Sequence, residues 1–330
     1  MHGRFESEAV ISGWIVATVV VCLLSFVIVG DVAYRIYASR QIRNLIENVP
    51  PFGIIEGRRD VASESVTITV EGLENEGQLA ACLYHPEGPA KAVVVFCHEL
   101  NGNRWTAMSY IEALVAANIA VLSFDFRNHG DSCSLTDYTP IHWITAVEVT
   151  DLQAAIDWVK SDNRFKHMKL GLFGVSRGGC VALTVASMRS DIAAVATDSA
   201  YSTRSLIWSF TGRFSQHVCP TWFFSRLPNW HVWQDINAAI RCSERKTGRR
   251  YVHLEDVVGN LRSPVLMIGG SRDSYVTESV RNQLTQMVPV ETESWLVPKA
   301  KHNRARTVAT AEYDSKIVSH FQAHLIAEKH

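Results

Sequence analysis

The sequence lacks the two cysteine patterns that would place it early in a structural class. Its seven cysteines are an odd number, they are scattered along 330 residues, and no two form a Cys-x-x-Cys pair. These features argue against a disulfide framework and a structural zinc site. Several cysteines lie in apolar runs, as buried free thiols do, which fits a reducing compartment. They are Cys22, Cys82, Cys97, Cys133, Cys180, Cys219 and Cys242.

An excess of positive charge is also absent. The 32 Lys and Arg residues balance 33 Asp and Glu residues, the net charge is −1, and the basic residues form no stripe. Proteins that bind nucleic acid usually show such an excess, so no nucleic-acid partner is expected. The chain also has no Gly-rich phosphate loop and no pair of metal ligands at helical spacing. Nucleotide chemistry and a metal site are therefore not expected either.

A long uncharged run is present near the start of the chain. Residues 9–30, AVISGWIVATVVVCLLSFVIVG, are 22 residues without a charge. A helix of this length is roughly 33 Å long, enough to cross a hydrocarbon core of about 30 Å. A signal peptide has a shorter apolar region and a small-residue cleavage site, and a buried helix of a soluble protein rarely stays uncharged for so long. We predict an uncleaved transmembrane helix over 9–30, preceded by a tail of residues 1–8.

The charges that flank this run predict its orientation. Arg4 is the only Lys or Arg before it, whereas three arginines follow it. Because the side richer in Lys and Arg stays in the cytoplasm, the bulk of the chain is expected there. Residues 31–60 are expected to form a juxtamembrane helix, closed by Pro50 and Pro51, and a charged linker. The three arginines are Arg35, Arg40 and Arg43.

From Val61 onward, strand and helix patterns alternate. The runs SVTITVEG and GQLAACLYHPEG predict two strands joined by a turn around Glu74 to Gly77, and six later apolar runs predict buried strands. Between most of these runs, apolar residues recur at helical spacing and predict helices. A last helix is predicted around Tyr313 and Phe321. The alternation predicts an α/β domain over 61–330, with a mostly parallel sheet and helices on both faces. The six runs are KAVVVFCHE, IAVLSFDF, KLGLFG, IAAVATDS, PVLMIGG and ESWLVP.

One interval, about 202–260, breaks this alternation. It contains no clean strand, but it is rich in aromatic residues. An excursion of this length between two core strands is usually an inserted subdomain or lid. Some of its rings form the insertion's own core, but so small a unit can hardly bury them all, so part of them is expected to line a cleft. They are Trp208, Phe210, Phe214, Trp222, Phe223, Phe224, Trp230 and Trp233.

A serine between glycines follows one of the predicted strands. The segment Gly174-Val175-Ser176-Arg177-Gly178 lies between the strand KLGLFG and a predicted helix. Such a turn can be a nucleophile elbow, which holds the serine in a strained backbone with its Oγ exposed. It can also be an ordinary tight turn with a polar residue. The strand before it and the helix after it favour a nucleophile.

A serine nucleophile needs a base and an orienting carboxylate, each after a strand and in the order serine, acid, histidine. Asp273 comes directly after PVLMIGG, and His302 follows ESWLVP. The carboxyl ends of parallel strands meet at one edge of a sheet, so both should reach Ser176. Asp198 also ends a strand and could supply the carboxylate instead. Other candidate bases precede the serine and fit the order badly, namely His98, His129 and His142.

Residues 61–330 resemble an α/β-hydrolase, closest to the monoacylglycerol-lipase and serine-aminopeptidase-like branch. Four stretches carry the resemblance: VVVFCHELNGN, SFDFRNHGDS, GVSRGG and GGSRDSYV with KAKHN. The resemblance implies an eight-stranded, mostly parallel sheet, a lid after the sixth strand and no cofactor. Carried over to this chain, it makes Ser176 the nucleophile, His302 the general base and then acid, and Asp273 the residue that orients the histidine.

The resemblance also implies an oxyanion hole formed by two backbone N–H groups. One belongs to Arg177, and we assign the other to Leu100 in the loop after VVVFCH. This chain departs from many members of the family, because Glu99 stands where they have Gly. A carboxylate directed at the oxyanion would oppose catalysis, so we expect Glu99 to turn away and pair with a cation such as Arg104. The Arg177 side chain is expected to be solvated or ion-paired.

These observations predict a membrane-anchored serine hydrolase that cleaves hydrophobic acyl esters, as a lipase or carboxylesterase does. The expected partners are the acyl substrate and the membrane, and the sequence does not indicate an oligomeric state. A thioesterase and a peptidase remain open, because the fold does not separate them. A non-catalytic membrane scaffold remains open as well, and Glu99 is the feature that favours it.

Overall fold

An eight-stranded sheet forms the centre of the computed structural model, which describes residues 2–49, 55–70, 77–215 and 221–327. Each strand coincides with one of the predicted apolar runs. The predicted turn at Glu74 lies outside the described residues. The strands are β1 (Glu64–Val70), β2 (Gly77–Tyr84), β3 (Ala92–Cys97), β4 (Ile119–Phe124), β5 (Leu170–Val175), β6 (Ile192–Asp198), β7 (Val265–Gly270) and β8 (Thr292–Val297).

The spatial order of the strands is β1-β2-β4-β3-β5-β6-β7-β8. Strand β2 pairs antiparallel with β1 and with β4, and all other neighbours are parallel. Strands β3 to β7 are buried along their length apart from one residue, which explains why they are continuous apolar runs and not alternating ones. The loops after β3, β5, β6, β7 and β8 leave from the same edge of the sheet.

Helices cover the sheet. The helices α2 (Met108–Ala116) and α10 (Thr310–Phe321) pack against each other and share one apolar cluster with Val94, Phe96 and Phe173 of the strands. The helices α3 (Ala146–Ser161) and α4 (Arg177–Met188) pack against each other. Of the strands, α3 contacts β1 and β3, and α4 contacts β3, β5 and β6. The predicted α/β fold is therefore confirmed. Two short helices near the carboxyl end are α8 (Glu278–Met287) and α9 (Ala305–Val308).

The chain divides into two units. The sheet unit comprises the described residues of 49–210 and 244–330, and the helical unit comprises those of 1–48 and 211–243. The described part of the predicted insertion after β6 is mainly helical. The middle of the insertion belongs to the helical unit. The helices of the insertion are α5 (Thr203–Phe214), α6 (Thr221–Phe224) and α7 (Asn229–Thr247).

The helical unit begins with one long helix, α1 (His2–Glu47). This helix runs without a break through the predicted span 9–30 and most of the predicted juxtamembrane helix, whereas Pro50 and Pro51 lie outside the described residues. From Gly13 onward it is long and apolar enough to cross a membrane, with a mean hydropathy of 2.7 over its most apolar 18 residues, all of them exposed. A signal sequence near an N-terminus would also meet this criterion of length and composition.

Candidate active site

Ser176 lies in the turn that joins β5 to α4. Its backbone has φ 51° and ψ −119°, a conformation that a residue with a side chain rarely adopts. The Ser176 N–H donates a hydrogen bond of 2.7 Å to the carbonyl oxygen of Asp198, at the end of the neighbouring strand. The sheet thus holds the strained turn in place.

The two glycines that flank Ser176 are required by close backbone approach. A Cβ at Gly174 would lie 2.4 Å from the carbonyl oxygen of Gly178, and a Cβ at Gly178 would lie 2.2 Å from that of Cys97. Neither position can hold a side chain unless the backbone moves. The start of α4 is therefore pressed against the end of β3, and this brings the loop after β3 towards the turn that holds Ser176.

His302 and Asp273 lie beside Ser176. The His302 Nε2 is 2.9 Å from the Ser176 Oγ, and its Nδ1 is 2.6 Å from the Asp273 Oδ2. The other carboxylate oxygen of Asp273 accepts hydrogen bonds of 2.8 Å from the backbone N–H groups of Tyr275 and Val276. All three side chains are buried. The structure thus brings together, in a continuous line of hydrogen bonds, the three residues that the sequence singled out.

The rival carboxylate, Asp198, has other partners. It accepts hydrogen bonds from the hydroxyl groups of Ser199, at 2.9 Å, and Tyr313, at 3.1 Å. Burial raises the pKa of Asp198 to about 6, and the nearby His302 opposes this rise. Asp198 therefore lies near the imidazole of His302, but Asp273 makes the hydrogen bond to it.

His98, His129 and His142, the rival histidines, lie in buried environments away from the role of general base. The His98 Nε2 accepts a hydrogen bond from the Phe126 N–H, so its Nδ1–H donates to the carbonyl oxygen of Glu99. Burial lowers the pKa of His98 to about 4 and those of His129 and His142 to about 3, so all three are neutral at pH 7. His98 thereby fixes the start of the loop that carries Glu99 and Leu100.

Glu99 does not form the expected ion pair. The guanidinium of Arg104 binds two other carboxylates, Asp125 and Asp131, which lie in the loop after β4. The expected pairing of Glu99 with Arg104 was therefore wrong, because the segment after β4 supplies two carboxylates that bind Arg104 instead. Asp125 belongs to the stretch SFDFRNHGDS, and its carboxylate also accepts hydrogen bonds from backbone N–H groups of Arg104 and Asp131.

The carboxyl group of Glu99 is buried without a regular partner. Its side chain is 3% exposed, and among the described residues neither oxygen has a hydrogen bond of normal geometry. Burial raises the pKa of Glu99 to about 7, although backbone N–H groups of Glu99 and Ile55 and the nearby His302 stabilise its charged form. At neutral pH the carboxyl group of Glu99 is therefore close to the midpoint between its protonated and its ionised form.

The side chain of Arg177 is ion-paired and buried. Its guanidinium lies 2.6 Å from the Glu148 carboxylate and donates a hydrogen bond of 3.0 Å to the Tyr138 hydroxyl. Burial opposes the charged form of Arg177, but the charge and hydrogen bond of Glu148 together with Tyr138 more than offset it, so the pKa of Arg177 lies above its usual range. Thr145 also donates to Glu148, through its backbone N–H and its hydroxyl. Of the two alternatives that the sequence left open for Arg177, the structure shows the ion pair.

Sequence reasoning missed Glu148 and Tyr138 as neighbours of the site. A partial signal for Glu148 was the Thr145-x-x-Glu148 spacing, which is that of a capping box at the start of α3. Tyr138 lies in a loop whose residues show no periodicity. Their effect on the site passes through Arg177, which they hold in place beside Ser176.

The backbone N–H of Arg177 lies at the amino end of α4, where the first N–H groups of a helix have no partner within the helix. Leu100 is half-buried in the loop after β3, against which the start of α4 packs. A hydroxyl, an imidazole, a carboxylate and a helix amino end in this arrangement can generate a nucleophile and stabilise an oxyanion. No group of three or more potential metal ligands occurs among the described residues.

Part of the chain is similar to an uncharacterized 31.7 kDa protein from the traX-finO intergenic region of Escherichia coli. The identity is 24% over 119 residues, which is 36% of this chain and 40% of the E. coli protein. A second match of the same description covers 28% of this chain and 32% of its relative. The chain thus spans less than half the length of the curated relatives it matches.

Solved structures share the fold over most of the chain. A Pyrococcus furiosus esterase is 23% identical with a TM-score of 0.59, and the match covers 83% of this chain and 100% of the esterase. A dienelactone hydrolase from Anabaena variabilis is 17% identical with a TM-score of 0.53, covering 80% and 99%. Est1E from Butyrivibrio proteoclasticus, solved with ferulic acid bound, is 16% identical with a TM-score of 0.55, covering 78% and 99%.

A family model described as "Serine aminopeptidase, S33" matches residues 88–260. This match spans just over half of the chain and includes Ser176, and it ends before Asp273 and His302. The resemblance that the sequence motifs suggested is thereby confirmed. The sheet order, the fold of the similar structures and this match agree, and the chain belongs to the serine aminopeptidase S33 family of hydrolases with the α/β-hydrolase fold.

Proposed function

We propose that this hydrolase is a membrane-anchored serine esterase that cleaves acyl esters of hydrophobic substrates through Ser176, His302 and Asp273. The observation that carries the proposal is the line of hydrogen bonds from the Ser176 Oγ through the His302 imidazole to the Asp273 carboxylate. Such a line is what a serine hydroxyl needs to become a nucleophile at neutral pH.

In this mechanism the His302 Nε2 removes the proton of the Ser176 hydroxyl while the Oγ attacks the acyl carbonyl carbon. The oxyanion of the tetrahedral intermediate accepts hydrogen bonds from the backbone N–H groups of Arg177 and Leu100. His302 then gives its proton to the leaving alcohol, and an acyl-enzyme on Ser176 remains. Water, deprotonated by His302, attacks this acyl-enzyme and releases the acid. Asp273 holds the imidazole with its Nδ1–H directed to the carboxylate throughout.

Esters are the preferred substrate class because similar structures include an esterase and a complex with ferulic acid, although these likenesses are below 25% identity. The family description instead favours peptide substrates. Thioesters remain open because the same triad can cleave them. The hydrophobic character of the substrate rests on the aromatic residues of the insertion and on the apolar helix α1.

The proposed anchor is residues 9–30 of α1, with the hydrolase unit in the cytoplasm. The arginines that follow this segment support that side of the membrane. Protease added to intact cells should leave the sheet unit undigested, and it should digest the unit once the cells are permeabilised. Digestion of intact cells would place the unit outside.

The proposal is tested on the full-length protein in detergent. A fluorophosphonate probe should label the wild-type protein but not Ser176→Ala, whereas Ser187→Ala, a buried serine in α4, should be labelled like the wild type. Turnover would then be compared on p-nitrophenyl esters of increasing chain length, on acyl thioesters and on aminoacyl p-nitroanilides. Highest kcat/KM on long-chain esters supports the proposal, and highest kcat/KM on the anilides identifies a peptidase.

A folded wild-type protein that is neither labelled nor active would overturn the proposal. The non-catalytic scaffold with the same fold would then be the better description. Glu99, in the loop after β3, would be the first residue to substitute in a search for the cause. Ser176→Ala serves as the reference in every assay, because it removes the nucleophile and leaves the other residues of the site unchanged.

A further inference from the structure

A cavity lies inside the helical unit. None of the residues that line it belongs to the segments that hold Ser176, Asp273 and His302. Its volume is about 230 Å³, and the described residues that line it belong to α1, to Asn48 directly after it, and to the parts 211–215 and 224–235 of the insertion. None of its lining residues is Lys or Arg. The cavity is therefore a second candidate site, built from the predicted anchor helix and from the insertion.

The α1 side of the cavity is one face of the helix. Tyr34, Ala38, Ile42 and Leu45 follow each other at spacings of four, four and three residues, which places them along one stripe. Ala38 and Ile42 are buried, whereas Tyr37 on another face of the same helix is 47% exposed. The small side chain of Ala38 in the middle of the stripe leaves space that its larger neighbours border.

The insertion side combines apolar and polar groups. Phe214, Phe224 and Val232 contribute apolar surface, and Thr211 and Ser215 contribute hydroxyl groups. Two of the aromatic residues that were expected to line a cleft thus line this one. A lining of this kind suits a ligand with an apolar chain and a polar end that forms hydrogen bonds.

Charge in the lining selects against an anionic ligand. Asp235 contributes a carboxylate, and the His231 Nδ1 lies 3.5 Å from it. The charge of Arg35 also acts on Asp235, but the Arg35 guanidinium is paired with Asp31 at 2.7 Å. The other nitrogen of His231 is 2.7 Å from Asp31 of α1, so the ring lies between two acids. A ligand with a carboxylate or phosphate end would meet negative charge here, whereas an uncharged hydroxylated end would not.

The surroundings of the cavity fit the border of a membrane. Tyr34 is four residues beyond the predicted span, or about 6 Å along the helix axis. Trp222 and Trp230 of the insertion are 62% and 58% exposed, and the guanidinium groups of Arg226 and Arg35 lie 5.8 Å from their ring centres. Exposed tryptophan and arginine close to the end of a transmembrane helix are typical of the headgroup layer.

The size of the cavity suits a single chain. Its volume of about 230 Å³ is many times the roughly 10 to 15 Å³ that one water molecule needs on the same measure. This space accommodates part of an acyl or alkyl chain together with its polar end.

We propose that this cavity binds a single-chain membrane lipid with an uncharged, hydroxylated end, and that the bound lipid bridges α1 and the insertion helices. The proposal rests on the membrane anchoring proposed above, but it involves neither Ser176 nor its partners. Because the ligand would contact both parts of the helical unit, its binding would stabilise their association by mass action.

The experiment uses the full-length protein in phosphatidylcholine nanodiscs and a glycerol monoalkyl ether that carries a diazirine in its chain. The ether bond prevents hydrolysis, so labelling does not depend on catalysis. After irradiation, mass spectrometry should find the label on peptides that contain residues 34–48 and 211–235. A fatty acid with the same diazirine should label these peptides less at pH 8, because its carboxylate meets Asp235.

Two variants fill the cavity and one controls for them. Ala38→Phe and Leu45→Phe should each lower labelling of these peptides about tenfold, because the added ring occupies the space of the chain. Ala33→Phe changes an exposed residue of the same helix and should be labelled like the wild type. Circular dichroism and gel filtration of all three variants show whether they are folded. Fluorophosphonate labelling, measured separately, reports the proposed esterase site.

Equal labelling of wild type, Ala38→Phe and Leu45→Phe would overturn the proposal. Labels confined to residues 9–30 would overturn it too, since they report only contact with bulk lipid. Stronger labelling by the fatty acid would show that the polar end is anionic and would reject the ligand class. Each of these results can be obtained whether or not Ser176 proves to be a nucleophile.

Discussion

The two loops that are expected to supply oxyanion donors contain buried ionisable side chains in opposite situations. In the turn after β5, the Arg177 guanidinium has the Glu148 carboxylate at 2.6 Å and the Tyr138 hydroxyl at 3.0 Å. In the β3 loop (residues 98–102), the Glu99 carboxyl is as deeply buried, and within the described chain it has no cation and no regular hydrogen bond. One loop has a completed electrostatic network and the other has an isolated acid.

This difference separates two ways of placing an ionisable group beside a reaction centre. A buried pair is permanently charged at neutral pH, and it keeps the first turn of α4 in one position. An isolated buried acid prefers its neutral form, so its charge depends on pH within the physiological range. We therefore expect the β5 side of the site to respond to loss of a partner and the β3 side to respond to pH.

The largest expected effect belongs to the hydrogen-bonded line on the β5 side. Asp273→Asn should lower kcat about 10⁴-fold, because an amide cannot hold the required tautomer of His302. The matched control is Asp198→Asn, which should lower kcat less than about tenfold, since Asp198 bonds Ser199 and Tyr313. Steady-state kinetics of both variants on the best ester decides between the two carboxylates. Equal losses would mean that both acids serve His302.

The next effect concerns the paired charge. Glu148→Gln leaves the Arg177 guanidinium buried without an anion and should lower the free energy of unfolding by about 3 to 5 kcal/mol. Urea unfolding followed by tryptophan fluorescence measures this change. Glu112→Gln removes a half-exposed carboxylate that pairs with Arg58 and Arg306, and it should change the free energy by about 1 kcal/mol at most. Similar values for the two variants would show that the buried pair contributes little.

A smaller effect tests the donor assigned to the β3 loop. Leu100→Pro removes one backbone N–H and should lower kcat about 10² to 10³-fold with little change in KM, because that donor acts on the oxyanion and not on the ground state. Leu100→Ala keeps the N–H and serves as the control. If both variants lose activity to the same extent, the side chain of Leu100 matters and its N–H does not.

The smallest effect has the opposite sign. The pKa of Glu99 is about 7 in the folded protein and 4.5 in an exposed glutamate. The contribution of Glu99 to the free energy of unfolding is therefore fully present below about pH 4.5 and is lost as pH rises through about 7. Glu99→Gln removes this loss, and it should be more stable than the wild type at pH 8 by at most about 3 kcal/mol. At pH 5 the two proteins should differ little.

Comparison of the two unfolding curves from pH 5 to pH 8 isolates this group. Asp198, whose pKa is about 6, interacts with Glu99 but is present in both proteins. A difference that stays constant over this pH range would show that Glu99 has a partner and does not titrate as an isolated acid.

The sheet and the triad order could be predicted from the sequence because they depend on local patterns. A strand buried on both faces must be apolar along its whole length, and β3 to β7 are. Parallel strands bring their carboxyl ends to one edge, so Ser176, Asp273 and His302 could be placed together without knowledge of any contact. Gly174 and Gly178 added a local signal, since only glycine permits the approach of the Gly178 and Cys97 carbonyl groups.

The partners of charged side chains could not be predicted in the same way. Arg104 pairs with Asp125, 21 residues away, and with Asp131, while Glu99, only five residues away, remains unpaired. For the same reason the sequence did not show which face of α1 contacts the insertion, since Asp31 and His231 are 200 residues apart. Such choices depend on which loops the fold brings together, and the spacing of residues along the chain does not contain this information.

The uninterrupted course of α1 has a mechanical consequence. In the proposed membrane-bound state, a bilayer thinner than the apolar segment makes the helix tilt. A helix of 46 residues is a stiff rod about 69 Å long, and without a flexible joint it transmits that tilt to residues 34–48. The insertion helices that pack against this end would then experience a torque. Changes in local bilayer thickness or lateral tension would thus act on the carboxyl end of α1 and on the insertion helices that pack against it.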